Sequence, residues 1–223
     1  MKTQPKYEFA VIATDVVIFT VDNGELKVLL IKMKKKPYTD YWAAPGGLVG
    51  SKESVDQAAA RVLKEKAGLA NIHLEQLYTF GKVNRDPFGR VVSVAYFALI
   101  PSENVKINTT DEYSDIKWFS MGKIPKLAYD HSEVLKVAKE RLQSKLEYTN
   151  IVYTLLPKEF TLSEVQDIYE TILDRGLDKR NFRKKILALK ILKKLSKKRG
   201  GSAHRPAELY SFINRTPRVI DLI

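Results

Sequence analysis

The sequence predicts an α+β chain in two parts: an α/β/α sandwich over residues 1–147 and a smaller domain of two helices and a hairpin over residues 148–223. Three observations point there. Strand-length runs rich in valine, isoleucine and phenylalanine fill most of the first part, broken by one central and one closing amphipathic helix. A glycine-rich loop, Gly46-Gly47-Leu48-Val49-Gly50, leads into the central helix. The last part holds a capped helix, a basic helix and two strands around a basic, glycine-rich tip.

The strands and helices follow in order. Residues 8–20 read as a strand, Asp22-Asn23-Gly24 as a hairpin turn, and residues 26–33 as the returning strand. Lys34-Lys35-Lys36-Pro37 breaks that pattern. A helix is expected over residues 54–67, with Val55, Ala58, Ala59, Val62 and Leu63 as its apolar stripe. Strands follow at 73–82, 90–100 and 116–119, and a closing helix at 131–146. In the second part Thr161 and Glu164 form a capping box at the start of a helix carrying Val165, Ile168, Ile172 and Leu173. Arg175-Gly176 is expected to stop that helix in a left-handed turn. Asp178 caps the next helix, over residues 179–189, and strands are expected at 191–195 and 208–213.

Composition and charge narrow the function. The chain of 223 residues is long enough for one large or two modest cores. It has no cysteine, which excludes disulfides and thiolate zinc sites. No N-terminal leader pattern is present, and no apolar run approaches the roughly 20 residues of a membrane span; a soluble, cytoplasmic protein is expected. The longest run, residues 91–100, is of strand length and is interrupted by Ser93. The 38 basic and 26 acidic residues leave a formal +12, and residues 175–205 alone hold 13 basic residues against Asp178. The whole excess is concentrated in one stretch, which implies a polyanionic partner.

That stretch divides by helical spacing. Phe182, Ile186 and Leu189 fall on one face of the second helix and point to a core. Lys179, Arg180, Arg183, Lys184 and Lys185 belong to the remaining faces. A helix, a short turn and a basic helix make a helix-turn-helix pattern, and a following hairpin with Lys198, Arg199, His204 and Arg205 around its tip makes it winged. The expected partner is double-stranded DNA, with the basic helix in the major groove. The plain alternative is a solvated charged surface. It fits poorly with a charge run of a single sign confined to one helix and one hairpin tip.

The glycine-rich loop carries its own signal. Gly47, Glu53, Arg61, Leu63, Glu65, Gly68 and Leu69 keep a fixed register behind Trp42-Ala43-Ala44-Pro45. In that register the segment resembles a Nudix box, the loop-helix-loop that holds Mg²⁺ on a diphosphate, and the first part resembles a Nudix sandwich. Two positions that are glutamate in the family read Val62 and Lys66 here. They lie four apart on one helix face. Valine offers a cation no lone pair, and Lys66 places an ammonium where the cation belongs. The resemblance thus implies a box without a metal, a cofactor or a catalytic residue. Glu53 and Arg61 are expected to brace the loop as an ion pair.

A second segment, Arg85-Asp86-Pro87-Phe88-Gly89-Arg90, resembles the Arg-Asp-Pro-x-x-Arg segment of ADP-ribose-handling Nudix proteins. The expected effector pocket therefore draws on Trp42, Glu53, Arg61, Lys66, Arg85, Asp86 and Arg90, with Arg85 and Arg90 forking onto phosphate or sugar hydroxyls and Trp42, with Tyr41, as a stacking wall. His73 and His131 are assigned no chemistry.

Taken together, the altered box, the Asn181-Phe182-Arg183-Lys184-Lys185 helix and Arg205-Pro206-Ala207-Glu208-Leu209-Tyr210 in the wing resemble the Nudix-related transcriptional regulators of the NrtR type. The resemblance implies a homodimer on an inverted-repeat operator, with an effector that is either ADP-ribose or a pentose such as arabinose, the latter tied to sugar metabolism. A hinge is expected around residues 146–157. Two rivals stand beside this reading. One is an active Nudix hydrolase of ADP-ribose or a related nucleoside diphosphate with an appended nucleic-acid-binding domain. The other is an RNA-binding scaffold.

Overall fold

In the computed structural model, which describes residues 9–70, 72–101, 113–199 and 206–220, strand β1 (Val11–Asp22) is buried from Ala13 to Thr20. A strand covered on both faces is mostly apolar, and five of these eight residues are, with Thr14, Asp15 and Thr20 the buried polar ones. Asn23 and Gly24 both take positive φ, at 51° and 72°, so the turn has the backbone twist that suits a two-residue hairpin. It hands the chain to β2 (Glu25–Met33). Two short strands that the alternation pattern does not signal follow, β3 (Trp42–Ala43) and β4 (Gly46–Leu48). They pair with β2 and β1 respectively, both antiparallel.

Helix α1 (Val55–Ala67) starts at Ser54, whose side chain accepts from the Gln57 backbone N–H while Gln57 returns the bond, a capping box absent from the expectations. It ends at Gly68 in the left-handed region. Its buried stripe is Ala58, Ala59, Val62, Leu63 and Ala67. After it come β5 (Glu75–Phe80), β6 (Val91–Leu99), β7 (Tyr113–Ser120) and helix α2 (His131–Tyr148). The sheet runs β3-β2-β1-β6-β5, with β4 also on β1 and β7 also on β2.

The chain divides into two compact units. The first takes β1 as far as Phe19, Val28–Ala98 and Lys106–Ala138; the second takes Thr20–Lys27, Leu99–Val105 and everything from Lys139.

In the second unit a 3₁₀ turn (Ile151–Thr154) precedes α3 (Leu162–Leu173), α4 (Lys179–Ala188), β8 (Leu192–Arg199) and β9 (Ala207–Phe212). The Thr161–Glu164 capping box and the Asp178 cap form as the sequence specifies. The left-handed stop of α3 falls at Asp174, φ 56°, and not at Arg175-Gly176. Aspartate tolerates that region because its short polar side chain can bond locally. The α3–α4 turn is fixed from inside the first helix: Gln166 Nε2 donates to the Leu177 carbonyl at 2.9 Å, and Glu170 accepts from the Leu177 N–H at 2.8 Å. Phe182 packs on Tyr169 at 5.4 Å between ring centroids, and Phe160 on Phe212 at 5.1 Å. These contacts anchor α4 and the hairpin to one core.

The stretch expected to be a hinge is held by the C-terminal segment. Asn150 Nδ2 donates to the Thr216 carbonyl at 3.0 Å and Asn150 Oδ1 accepts from the Arg218 N–H at 2.7 Å. Arg215 donates to the carbonyls of Tyr153, Leu156 and Pro157. Arg215→Ala will leave these carbonyls to solvent or unpaired. It is expected to cost about 1–3 kcal/mol, read as a lower urea midpoint by circular dichroism; an unchanged midpoint would show that the tail holds nothing.

Candidate functional site

Two places in the chain concentrate chemistry, one in each unit. The first is a cavity of about 200 Å³ in the first unit. Its geometry begins with a register: Asp15 of β1 lies opposite Gly46 of β4. A Cβ on Gly46 would stand 2.4 Å from Asp15 Oδ1, so only glycine lets the loop pass the carboxylate. A Cβ on Gly47 would meet Val62 at 3.2 Å.

Asp15 is buried and fully engaged. Ser93 Oγ donates to its Oδ2 at 2.6 Å, Arg85 approaches the same oxygen at 3.1 Å, and His131 Nε2 stands 3.4 Å from Oδ1. Burial pushes the Asp15 carboxyl up, but His131, Ser93 and Arg85 outweigh it and hold it at about 2. His131 Nδ1 accepts the Ala44 N–H at 3.0 Å, which leaves the ring proton on Nε2, facing Asp15. His131 thus ties the Trp42-Ala43-Ala44-Pro45 turn to the start of α2.

Around this buried cluster the walls are Ile31, Met33, Asp86, Tyr113 and Tyr129. Tyr129 adopts a positive φ of 55°, rare for a bulky residue and costly unless its surroundings enforce it. Burial pushes the Tyr113 hydroxyl up to about 12, with Tyr129 adding to it. Tyr129 shifts upward too, through burial and then the nearby Asp86 carboxylate. Both phenols therefore stay neutral at physiological pH.

Of the seven residues expected at the effector pocket, the cavity brings together Arg85 and Asp86. Arg85 is not open to a phosphate as expected. Its side chain is 3% exposed, and it forks onto Asp130 at 2.7 and 2.9 Å besides meeting Asp15. Arg90 donates to the carbonyls of Gly81, Lys82 and Val91, away from the cavity wall. Trp42 packs edge-on against Phe119 at 4.6 Å, so it belongs to the packing of the sheet and not to the cavity lining. Lys66 lies beside the site, its ammonium 4.9 Å from the centroid of the Tyr113 ring. His131, without a role in the expectations, stands in the wall. Asp15 is absent from them as well, although an aspartate inside a mostly apolar strand is itself a signal.

The acids that remain in the box are already bonded. Glu53 accepts from the Gly50 N–H at 2.7 Å and from Arg61 at 2.6 and 3.0 Å, and Arg61 also reaches the Leu48 carbonyl and Glu65. Both remaining acids are thus turned onto one guanidinium, and those bonds hold Glu53 at about 2. Val62 is wholly buried against the Gly47 turn. Among the described residues no cluster of three His, Cys, Asp or Glu side chains is placed to hold a metal.

The second place is the outer surface of α4 and the hairpin. Phe182 and Ile186 are buried and Leu189 is half-buried, while Lys179, Arg180, Arg183, Lys184 and Lys185 are all exposed. Arg183 touches Ser163 Oγ at 3.3 Å and, with Lys198, lines a groove at the start of α3. The hairpin mixes signs more than its sequence implies. Lys194 pairs with Glu208, Lys197 with Glu159, and Arg199 with Glu164. His204 and Arg205 lie outside the described residues.

Comparison with known proteins follows the same division. A NUDIX domain model matches residues 11–138, and an NrtR DNA-binding winged helix domain model matches residues 152–212. The chain is 36% identical over 211 residues to the ADPR responsive transcriptional repressor NtrR of Acinetobacter baylyi, covering 92% of this chain and 83% of that protein. It superposes on Shewanella oneidensis NrtR complexed with a 27mer DNA at a TM-score of 0.78 and 33% identity, over 90% of this chain and 93% of that one. The NUDIX domain of the same Shewanella oneidensis protein, complexed with ADP ribose, matches at a TM-score of 0.56 and 34% identity, over 63% of this chain and 94% of that one.

Proposed function

The chain belongs to the Nudix-related transcriptional regulators of the NrtR type, and from that premise we propose that ADP-ribose, taken up at the cavity of the Nudix unit, controls the binding of its winged helix to operator DNA. Residues 1–147 are assigned to sensing and 148–223 to DNA reading. The observation that carries the reading is the exposed Arg183–Lys184 surface of α4 in the same chain as a Nudix box whose Glu53 and Glu65 are both bonded to Arg61. Of the two effectors the sequence left open, ADP-ribose is favoured because two of the relatives are named for it or hold it.

The contact residues proposed on DNA are Lys179, Arg180, Arg183, Lys184 and Lys185 from α4 and Lys198, Arg199, His204 and Arg205 from the wing, with two copies of the chain on an inverted repeat. The α4 residues reach base edges and phosphates; the wing residues reach the backbone. The Nudix unit is proposed to bind ADP-ribose without cleaving it. Arg61 occupies both Glu53 and Glu65, and Lys66 stands four residues on from a buried valine.

Fluorescence anisotropy on DNA from upstream of the protein's own gene, with and without ADP-ribose, tests the reading, together with a Mg²⁺-dependent hydrolysis assay on the same sample. Expected are a change in DNA affinity of about five- to 150-fold on saturation, the usual range of a coupling free energy, and intact ADP-ribose at the end. Equal affinity in both arms would remove the sensing role. Turnover near the typical enzyme value of about 10 s⁻¹ would restore the hydrolase.

A further inference from the structure

Resting on that reading, we infer that the cavity takes the uncharged terminal ribose of ADP-ribose and leaves the diphosphate outside. Size points to one end of the ligand. About 200 Å³ is less than the roughly 300–1,000 Å³ of pockets that enclose a whole drug-sized ligand. A lone five-carbon sugar is the smaller of the two ends, since the other carries a base and a sugar together.

Charge decides against phosphate. Arg85 is the only Lys or Arg lining the cavity among the described residues, and it is already shared between Asp15 and Asp130. Asp86 adds a further carboxylate to the wall, so the lining sets Asp15 and Asp86 against a single guanidinium that Asp130 also shares. A diphosphate placed there would meet net negative charge in a half-enclosed space, where repulsion is poorly screened. Ionised carboxylates only accept hydrogen bonds, and the groups that satisfy them are donors, such as the hydroxyls of a sugar. Asp86 is suited to this. It is half-buried in the wall, and its Oδ1 accepts the Phe88 N–H at 2.8 Å, which aims the carboxylate from a fixed turn. The Lys66 ammonium lies over the Tyr113 ring at the cavity's edge, on the side proposed for the phosphates.

This assigns Asp86 as a specificity-determining residue and, of the two partners the sequence left open for this segment, takes sugar hydroxyls over phosphate. The test is calorimetric titration of ADP-ribose and of ADP, which lacks the terminal ribose, into the full-length protein and its Asp86→Asn variant. Asparagine keeps an oxygen for the Phe88 N–H, and a thermal melt checks that the fold is intact. ADP-ribose should bind the variant about tenfold or more weakly, as for the loss of a hydrogen bond to a charged group, while ADP changes less than about twofold. An equal loss for both ligands would put the nucleotide end in the cavity. Tighter ADP-ribose binding by the variant would put the phosphates there, and no change with either ligand would remove Asp86 from recognition; each of these overturns the inference. Wild-type protein that binds no ADP-ribose at all would instead remove the functional reading, and the inference with it.

Discussion

Replacing Arg183 and Lys184 together by alanine will weaken binding to operator DNA by on the order of a hundredfold, at about 1–3 kcal/mol for each side chain that reads a base edge. Both side chains are exposed, whereas the residues that anchor α4, Phe182 and Ile186, are buried and untouched by the change. Alanine is also the better helix former, so α4 itself should persist. If either side chain sits on a phosphate, the slope of log affinity against log salt will flatten by about one for each phosphate left unneutralised. Anisotropy titrations at two salt concentrations, with circular dichroism as the control for folding, measure both quantities. Undiminished affinity in a folded variant would take the recognition role away from α4.

Arg85→Met is expected to be the most damaging single change in the Nudix unit. Its guanidinium is shared between Asp15 and Asp130, and the side chain is 3% exposed. Removing one partner of a buried ion pair costs about 3–5 kcal/mol because the remaining charge is left in a poor solvent. For a chain of this size that corresponds to a fall in melting temperature on the order of 10 °C.

The pH dependence carries a definite sign. In the wild type the Asp15 carboxyl is held at about 2, below its ordinary value of 3.8. Its contribution is therefore present above about pH 4 and is lost as pH falls toward 2. Without Arg85, protonating Asp15 relieves the variant. The gap between the two proteins should be widest at neutral pH and should narrow through the carboxylate range. Melting curves from pH 7 to pH 3 test this, and a gap that stays constant would mean that Arg85 stabilises by packing alone.

What could be read before folding was mostly local. The hairpin at Asn23-Gly24, the caps at Thr161 and Asp178, and the buried and exposed faces of α4 depend on neighbours within one or two turns of chain. The wing shows where that reading falls short. Its lysines and arginine look unopposed in sequence, yet Lys197 and Arg199 meet Glu159 and Glu164 from 35 or more positions away.

The cavity is the more instructive failure. Its cluster joins Asp15, Ser93, Arg85, Asp130 and His131, with separations of 45 to 78 residues between hydrogen-bonded partners among the first four and 116 between Asp15 and His131. No spacing rule links them. The sequence segment offered Arg85 to phosphate or sugar hydroxyls and left His131 with nothing to do. Sheet register then placed Asp15 against Gly46, and α2 brought His131 onto the Ala44 N–H.

The sequence by itself determined the two-part architecture, the family to which it belongs, the valine and lysine at positions 62 and 66 of the box and the concentration of positive charge behind Asp178. These follow from periodicity, capping chemistry and residue identity, which act over short stretches of chain. Only the tertiary structure decided which charges are already neutralised. A charge's availability to a ligand depends on its nearest opposite charge and its exposure to water, and both are set by residues that the fold brings together from distant parts of the chain.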